Sequence, residues 1–226
     1  FYSSDNSYNY PFVEIKGIYT NDLVAKHKNT ALGITKSKLF CYKGLVINYE
    51  SIGIINFKKT AQTSWYLNND SKKVWSITES NPLFRGAVIK NQTLFLSTPI
   101  NLDLNYTSLI SETNYQYDVS TNGVLPSYLL LKNEKSKDFL TNVVTEKVNQ
   151  SFTTDYFLPK VNIINKYLGT QLQSSSTTTT NYEPAIINPS YYLIGRPNEI
   201  NISNTTYVNT TGSSNTKTNN KNIERF

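Results

Sequence analysis

The chain of 226 residues has one Cys, one His and no Met. A lone cysteine excludes an intrachain disulfide, and so few His and Cys leave a thiolate or imidazole metal centre without ligands. Without Met, Phe1 does not read as a translation start; the expectation is a mature terminus exposed by removal of a leader, although an internal fragment would look the same. Glycines number only 9, and no Gly-rich phosphate loop is formed: Gly44, Gly53 and Gly86 stand alone and read as turns or bulges. No apolar run approaches the roughly 18 residues that cross a bilayer as a helix. The mature chain is expected without membrane insertion, in solution or held in an assembly by protein contacts.

Charge is also scarce, at 17% of residues. The net charge of +6 comes from 19 Lys and only 3 Arg against 16 acids, scattered along the chain. Nucleic-acid binding asks for Arg enrichment and a basic stripe, so no nucleic-acid partner is expected. The acids occur singly, without the spacing of a calcium loop or of a glycosidase dyad. His27 lies between Lys26 and Lys28, a solvated and cationic setting. Cys41 lies between Phe40 and Tyr42 on a strand pattern, where it reads as a small apolar residue. These features predict no catalytic residue, no cofactor and no metal; the chain does not read as an enzyme.

What is abundant is Asn, Ser and Thr, together 78 residues (29, 23 and 26). Seven Asn-X-Ser/Thr sequons follow, at Asn69, Asn91, Asn105, Asn149, Asn201, Asn204 and Asn209. This composition yields about six by chance, so position carries more weight than number. Asn69 reads as a polar turn, Asn91 as a hairpin loop, and the last three as a polar stretch, all places a glycan could occupy. Aromatics are plentiful as well, with 17 Tyr, 10 Phe and 2 Trp. Their ordinary role is core filling and cross-strand pairing, whereas an exposed row would stack on sugars. Lys and Asn at this frequency would also allow an isopeptide cross-link, with no pair singled out.

Residues 1–10 are polar with Tyr2, Tyr8 and Tyr10 interleaved, and Pro11 opens an alternating segment that places Val13, Ile15 and Tyr19 on one face. From there to about residue 132, short β-type runs alternate with turn residues, as in an all-β sandwich. Leu39–Tyr42 and Leu45–Tyr49 flank Lys43-Gly44; Ile52–Phe57, Ser64–Leu67 and Val74–Thr78 follow. Residues 87–89 and 93–97 bracket Lys90-Asn91-Gln92, read as a three-residue hairpin loop. Asn122-Gly123 is a type I′ turn signal before Tyr128–Leu131, with Pro126 pushing that arm to an edge. Phe139, Leu140, Val143, Val144 and Val148 recur at three-to-four-residue spacing after Ser136, which predicts a helix over 137–149. Val161, Ile164 and Leu168 before Gly169 read as a second short helix or a strand. The Ser/Thr tract 171–182 reads as a flexible linker, Ala185–Ile194 as a strand, and 203–226 as a polar tail disordered on its own.

The abundance of Asn, Ser, Thr and Tyr, the low charge fraction, the single Cys and the mature start resemble surface filament and S-layer glycoproteins of thermoacidophilic archaea, particularly thread-type pilus subunits. The resemblance is compositional and spans the whole chain. It implies a secreted cell-surface protein with an Ig-like or pilin-like β-sandwich, one or two short helices, and an N-terminal strand that completes the next subunit. On this reading residues 1–20 are an extension and donor strand, and 21–226 one sandwich domain. Strand donation also has a physical basis, because an extended segment satisfies an open edge through backbone hydrogen bonds and alternate side chains. Tyr8, Tyr10, Phe12, Val13, Ile15 and Tyr19 are the expected subunit contacts, with copies of the chain as partners and covalent glycans as decoration. An S-layer, capsid or tail subunit, an organelle-encoded subunit of a large complex, and a carbohydrate-binding surface module are the competing readings.

Overall fold

The computed structural model describes residues 2–3, 8–15, 23–50, 53–97, 99–120, 128–188, 191–210 and 213–224. Its architecture is all-β. The chain divides into two compact units, residues 1–114 and 115–226, where the sequence reads a single domain from 21 onward.

The first unit is built on β1 (Tyr2–Ser3), β2 (Phe12–Glu14), β3 (Lys26–Ala31), β4 (Ile34–Asn48), β5 (Gly53–Thr63), β6 (Tyr66–Leu67), β7 (Lys73–Asn81) and β8 (Ala87–Leu96), with the first half of β9 (Leu109–Ser120). β4, β5, β7, β8 and β9 pair in chain order and antiparallel, while β1, β2, β3 and β6 pair with β4. Leu32 and Gly33, both at positive φ, join β3 to β4 in the two-residue loop geometry that matches strand twist.

Register assigns the faces, because directly opposed residues share one side. One face carries Leu39, Thr63, Trp75, Leu94 and Leu109 in one row and Cys41, Ala61, Ile77, Gln92 and Glu112 in the next. The other face carries Tyr42, Thr60, Thr78, Asn91 and Thr113. The apolar face is covered by the segment between β8 and β9, which sends down Ile100 and Leu102. Trp75 and Leu94, each 1% exposed, are the centre of this core.

Three expectations are corrected here. Lys43-Gly44 does not end a strand: β4 runs through it with Gly44 at φ 64, and the register against β5 shifts only later, between Val46 and Ile47. Lys90-Asn91-Gln92 is not a hairpin loop but the middle of β8, since its neighbours on β7 and β9 pair with all three residues. The one helical element among the described residues is a 3-10 turn, Pro82–Phe84, capped by the Asn81 side chain.

The second unit takes the remainder of β9, then β10 (Tyr128–Asp138), β11 (Val143–Phe152), β12 (Pro159–Leu168), β13 (Gln171–Tyr182), β14 (Ile186–Asn188), β15 (Tyr191–Leu193), β16 (Pro197–Thr210) and β17 (Ser213–Glu224). β10 to β13 form a meander, β16 pairs with β13, and β17 with β16. β14 and β15 are a separate hairpin whose base is closed by the Glu183 N–H donating to the Arg196 carbonyl at 2.9 Å and by an Arg196–Glu183 ion pair.

The helix expected over 137–149 is a β-hairpin. Asp138 Oδ1 accepts from Leu140 N at 2.8 Å and Thr141 N at 3.2 Å, turning the chain where a helix would have continued. Asn142 at φ 55 completes that turn, and β-branched Val143 and Val144 then run out as a strand. Val161, Ile164 and Leu168 lie on β12, which takes the strand alternative. The linker expected at 171–182 is β13, held on both sides by β12 and β16. The polar tail is strand as well, with Ser203–Thr210 and Ser213–Glu224 in register. The Asn122-Gly123 turn and Pro126 lie outside the described residues.

Candidate functional site

The N-terminal segment meets the sheet of its own unit. Phe12, Val13 and Glu14 oppose Asn48, Ile47 and Val46, and Ile15 N donates to the Leu45 carbonyl at 2.8 Å. Tyr49 N closes the other end on the Pro11 carbonyl at 3.1 Å. Glu14 is the residue the sequence reading passed over. It alternates with Val13 and Ile15, which suggests solvent, yet its side chain is 0% exposed and lies 3.5 Å from Lys58 Nζ. Lys58 also stands over the Tyr8 ring, 5.4 Å from its centroid. Gly44 completes this knot, because a Cβ there would sit 2.6 Å from Lys58 Cδ and 2.8 Å from Glu14 Oε1.

Of the expected subunit contacts, Phe12, Val13 and Ile15 are half-buried against β4, Tyr8 is half-buried, and Tyr10 is 72% exposed. Tyr19 lies outside the described residues. The segment thus occupies the edge of β4 in its own chain, through three residues of ladder.

The second unit has no buried residue among those described. Its strands are long, and apolar rows run on both faces. Val144, Val148, Val161, Ile163 and Tyr167 share one face, while Val143, Ile164, Leu168, Ile200 and Ile202 share the other. Between them stand polar ladders. Glu146 receives Asn133 Nδ2 at 3.4 Å and the Tyr167 hydroxyl at 3.5 Å, with Lys135 Nζ at 3.9 Å. Asn181 and Asn201 donate to Glu199 at 2.7 and 2.9 Å, which holds its carboxyl below the ordinary glutamate range, Asn201 contributing most.

The sequons separate into distinct settings. Asn69 sits in the exposed turn after β6 and Asn105 in the exposed segment between β8 and β9. Asn204 is exposed on β16. Asn149 Nδ2 already donates to the Leu131 carbonyl at 2.8 Å, and Asn201 Nδ2 to Glu199. Asn91 is half-buried within β8, in place of the hairpin loop expected for it, and Asn209 lies on β16.

His27 is exposed on β3, its ring 5.1 Å from that of Trp65. Cys41 is half-buried against the core. No group of three His, Cys, Asp or Glu side chains converges as a metal site among the described residues, and no described helix is long and apolar enough to cross a membrane. No protein-family model matches the chain, and no curated protein matches its sequence.

Proposed function

We propose that this chain is an extracellular structural subunit that polymerises with copies of itself into a surface filament of the pilus or thread kind, N-glycosylated at exposed sequons. The observation that carries the reading is the second unit's lack of any buried residue among those described. A sheet with apolar rows on both faces gains most when another layer covers them, and a neighbouring copy is the layer always at hand. The Ig-like or pilin-like sandwich expected from the sequence is then completed between subunits.

The N-terminal segment supplies the connecting element. Phe12–Glu14 docks on an edge of β4 by backbone pairing and one buried ion pair. The same segment of a neighbour fits that edge in the same register, so exchange needs no new interface. Head-to-tail exchange whose rotation does not close on itself grows a thread. Deleting residues 1–20 is expected to leave folded, unpolymerised subunits in sizing columns and electron micrographs. Filaments of normal length from that deletion would refute strand donation.

A further inference from the structure

We infer that the first unit holds a binding cleft for a neutral sugar residue. The cleft, of about 270 Å³, lies on the covered face beside the segment between β8 and β9. Ile77 and Gln92 line its sheet side, and Leu102, Leu104, Asn105 and Tyr106 line it from the covering segment. This volume lies just below the roughly 300–1,000 Å³ of sites for drug-sized ligands, which suits a single ring better than a chain.

The lining is held before any ligand arrives. Glu112 Oε2 accepts from Gln92 Nε2 at 2.7 Å and Oε1 from Asn114 Nδ2 at 2.8 Å, so both carboxylate oxygens are aimed. Glu79 is 3.5 Å from Lys59 Nζ. The covering segment is tied down by Asp103 to Lys43, and by Tyr106, whose hydroxyl accepts from Asn101 N at 2.9 Å. Lys90 opposes Glu79 across β7 and β8 and makes no ion pair among the described residues, which leaves its ammonium donors for a ligand.

Charge decides the ligand class. Lys59 and Lys90 balance Glu79 and Glu112, so an anion entering the cleft meets two carboxylates and gains no net attraction. A hydroxyl both donates and accepts, and a neutral polyol can therefore answer ammonium and carboxylate side by side. The cleft uses no residue of the donated segment or of the second unit, so it stands or falls apart from polymerisation.

The test is titration of the full chain with methyl α-mannoside, methyl β-galactoside and methyl β-glucoside, with glucuronate as the charged comparator, followed by amide chemical shifts. At least one neutral glycoside should give saturable shifts centred on Lys90, Gln92, Asn105 and Tyr106. Lys90→Ala and Gln92→Ala should each weaken it about tenfold, the scale of a lost hydrogen-bonding group in a built site. Lys132→Ala, at an exposed ion pair of the second unit that contributes nothing to the cleft lining, should leave it unchanged. No saturation by any neutral glycoside, tighter binding of glucuronate, or shifts outside the cleft would each overturn the assignment. So would affinity unchanged from the wild type in both cleft variants.

Discussion

Gly44 joins two requirements at one Cα. Its φ of 64 lies in the left-handed region, and the space where a Cβ would go is occupied by Lys58 and by the carboxylate of Glu14. Alanine here costs backbone strain of about 1 kcal/mol and also displaces a buried ion pair, so Gly44→Ala should lose about 2–3 kcal/mol in urea unfolding. An unchanged midpoint would show that Glu14 and Lys58 can move apart without cost. The asparagines are a second residue-scale case. N-glycosylation uses the Nδ2 atom, which Asn149 and Asn201 already commit to Leu131 and Glu199. In a glycosylating host, glycopeptide mass spectrometry should find Asn69 occupied and Asn149 bare; full occupancy of Asn149 would mean modification precedes folding of β11.

The hairpin of β10 and β11 turns on Asp138. Donation from the Thr141 and Leu140 backbone N–H groups, Thr141 contributing most, lowers this carboxyl from its ordinary value of 3.8. A lowered folded-state pKa contributes stability that is complete above the unfolded value and lost as pH falls through the folded one. Asp138→Ala should therefore flatten the decline of urea midpoint below about pH 4, with Glu199 supplying the residual slope. An unchanged decline would place the acid sensitivity elsewhere. The same turn explains what was legible in the sequence. Alternation in Val74 to Thr78 reads directly as strand, because one face of that unit is buried. Phe139, Leu140 and Val143 mimic a helical stripe only because a tight turn interrupts them, and a capping Asp serves a turn as well as a helix. The Ser/Thr tract has no hydrophobic period to read at all. Its strand follows from β-branched threonines and two flanking partners, information held in distant segments. The Lys59, Glu79, Lys90 and Glu112 cluster is hidden for a like reason: it comes from four strands whose register brings single charges into adjacent rows.

At the scale of the molecule, the two units are stabilised by different means. The first encloses Trp75, Ile77 and Leu94 beneath Ile100 and Leu102, so opening β7 or β8 exposes apolar area. Each such side chain is worth about 1.5–3 kcal/mol of burial. The second rests on backbone ladders and cross-strand pairs, each contributing roughly 0.2–1 kcal/mol, with no enclosed centre among its described residues. Hydrogen exchange should separate them. In dilute unpolymerised chain, amides of β7 and β8 should be the slowest, and those of β11, β12 and β13 should exchange through local opening. Assembly then covers the apolar rows, and exchange in β11 to β13 should slow by at least about tenfold while β7 and β8 change little. If β12 in the free subunit is already as protected as Trp75, the sheet needs no neighbour and the case for polymerisation through it fails.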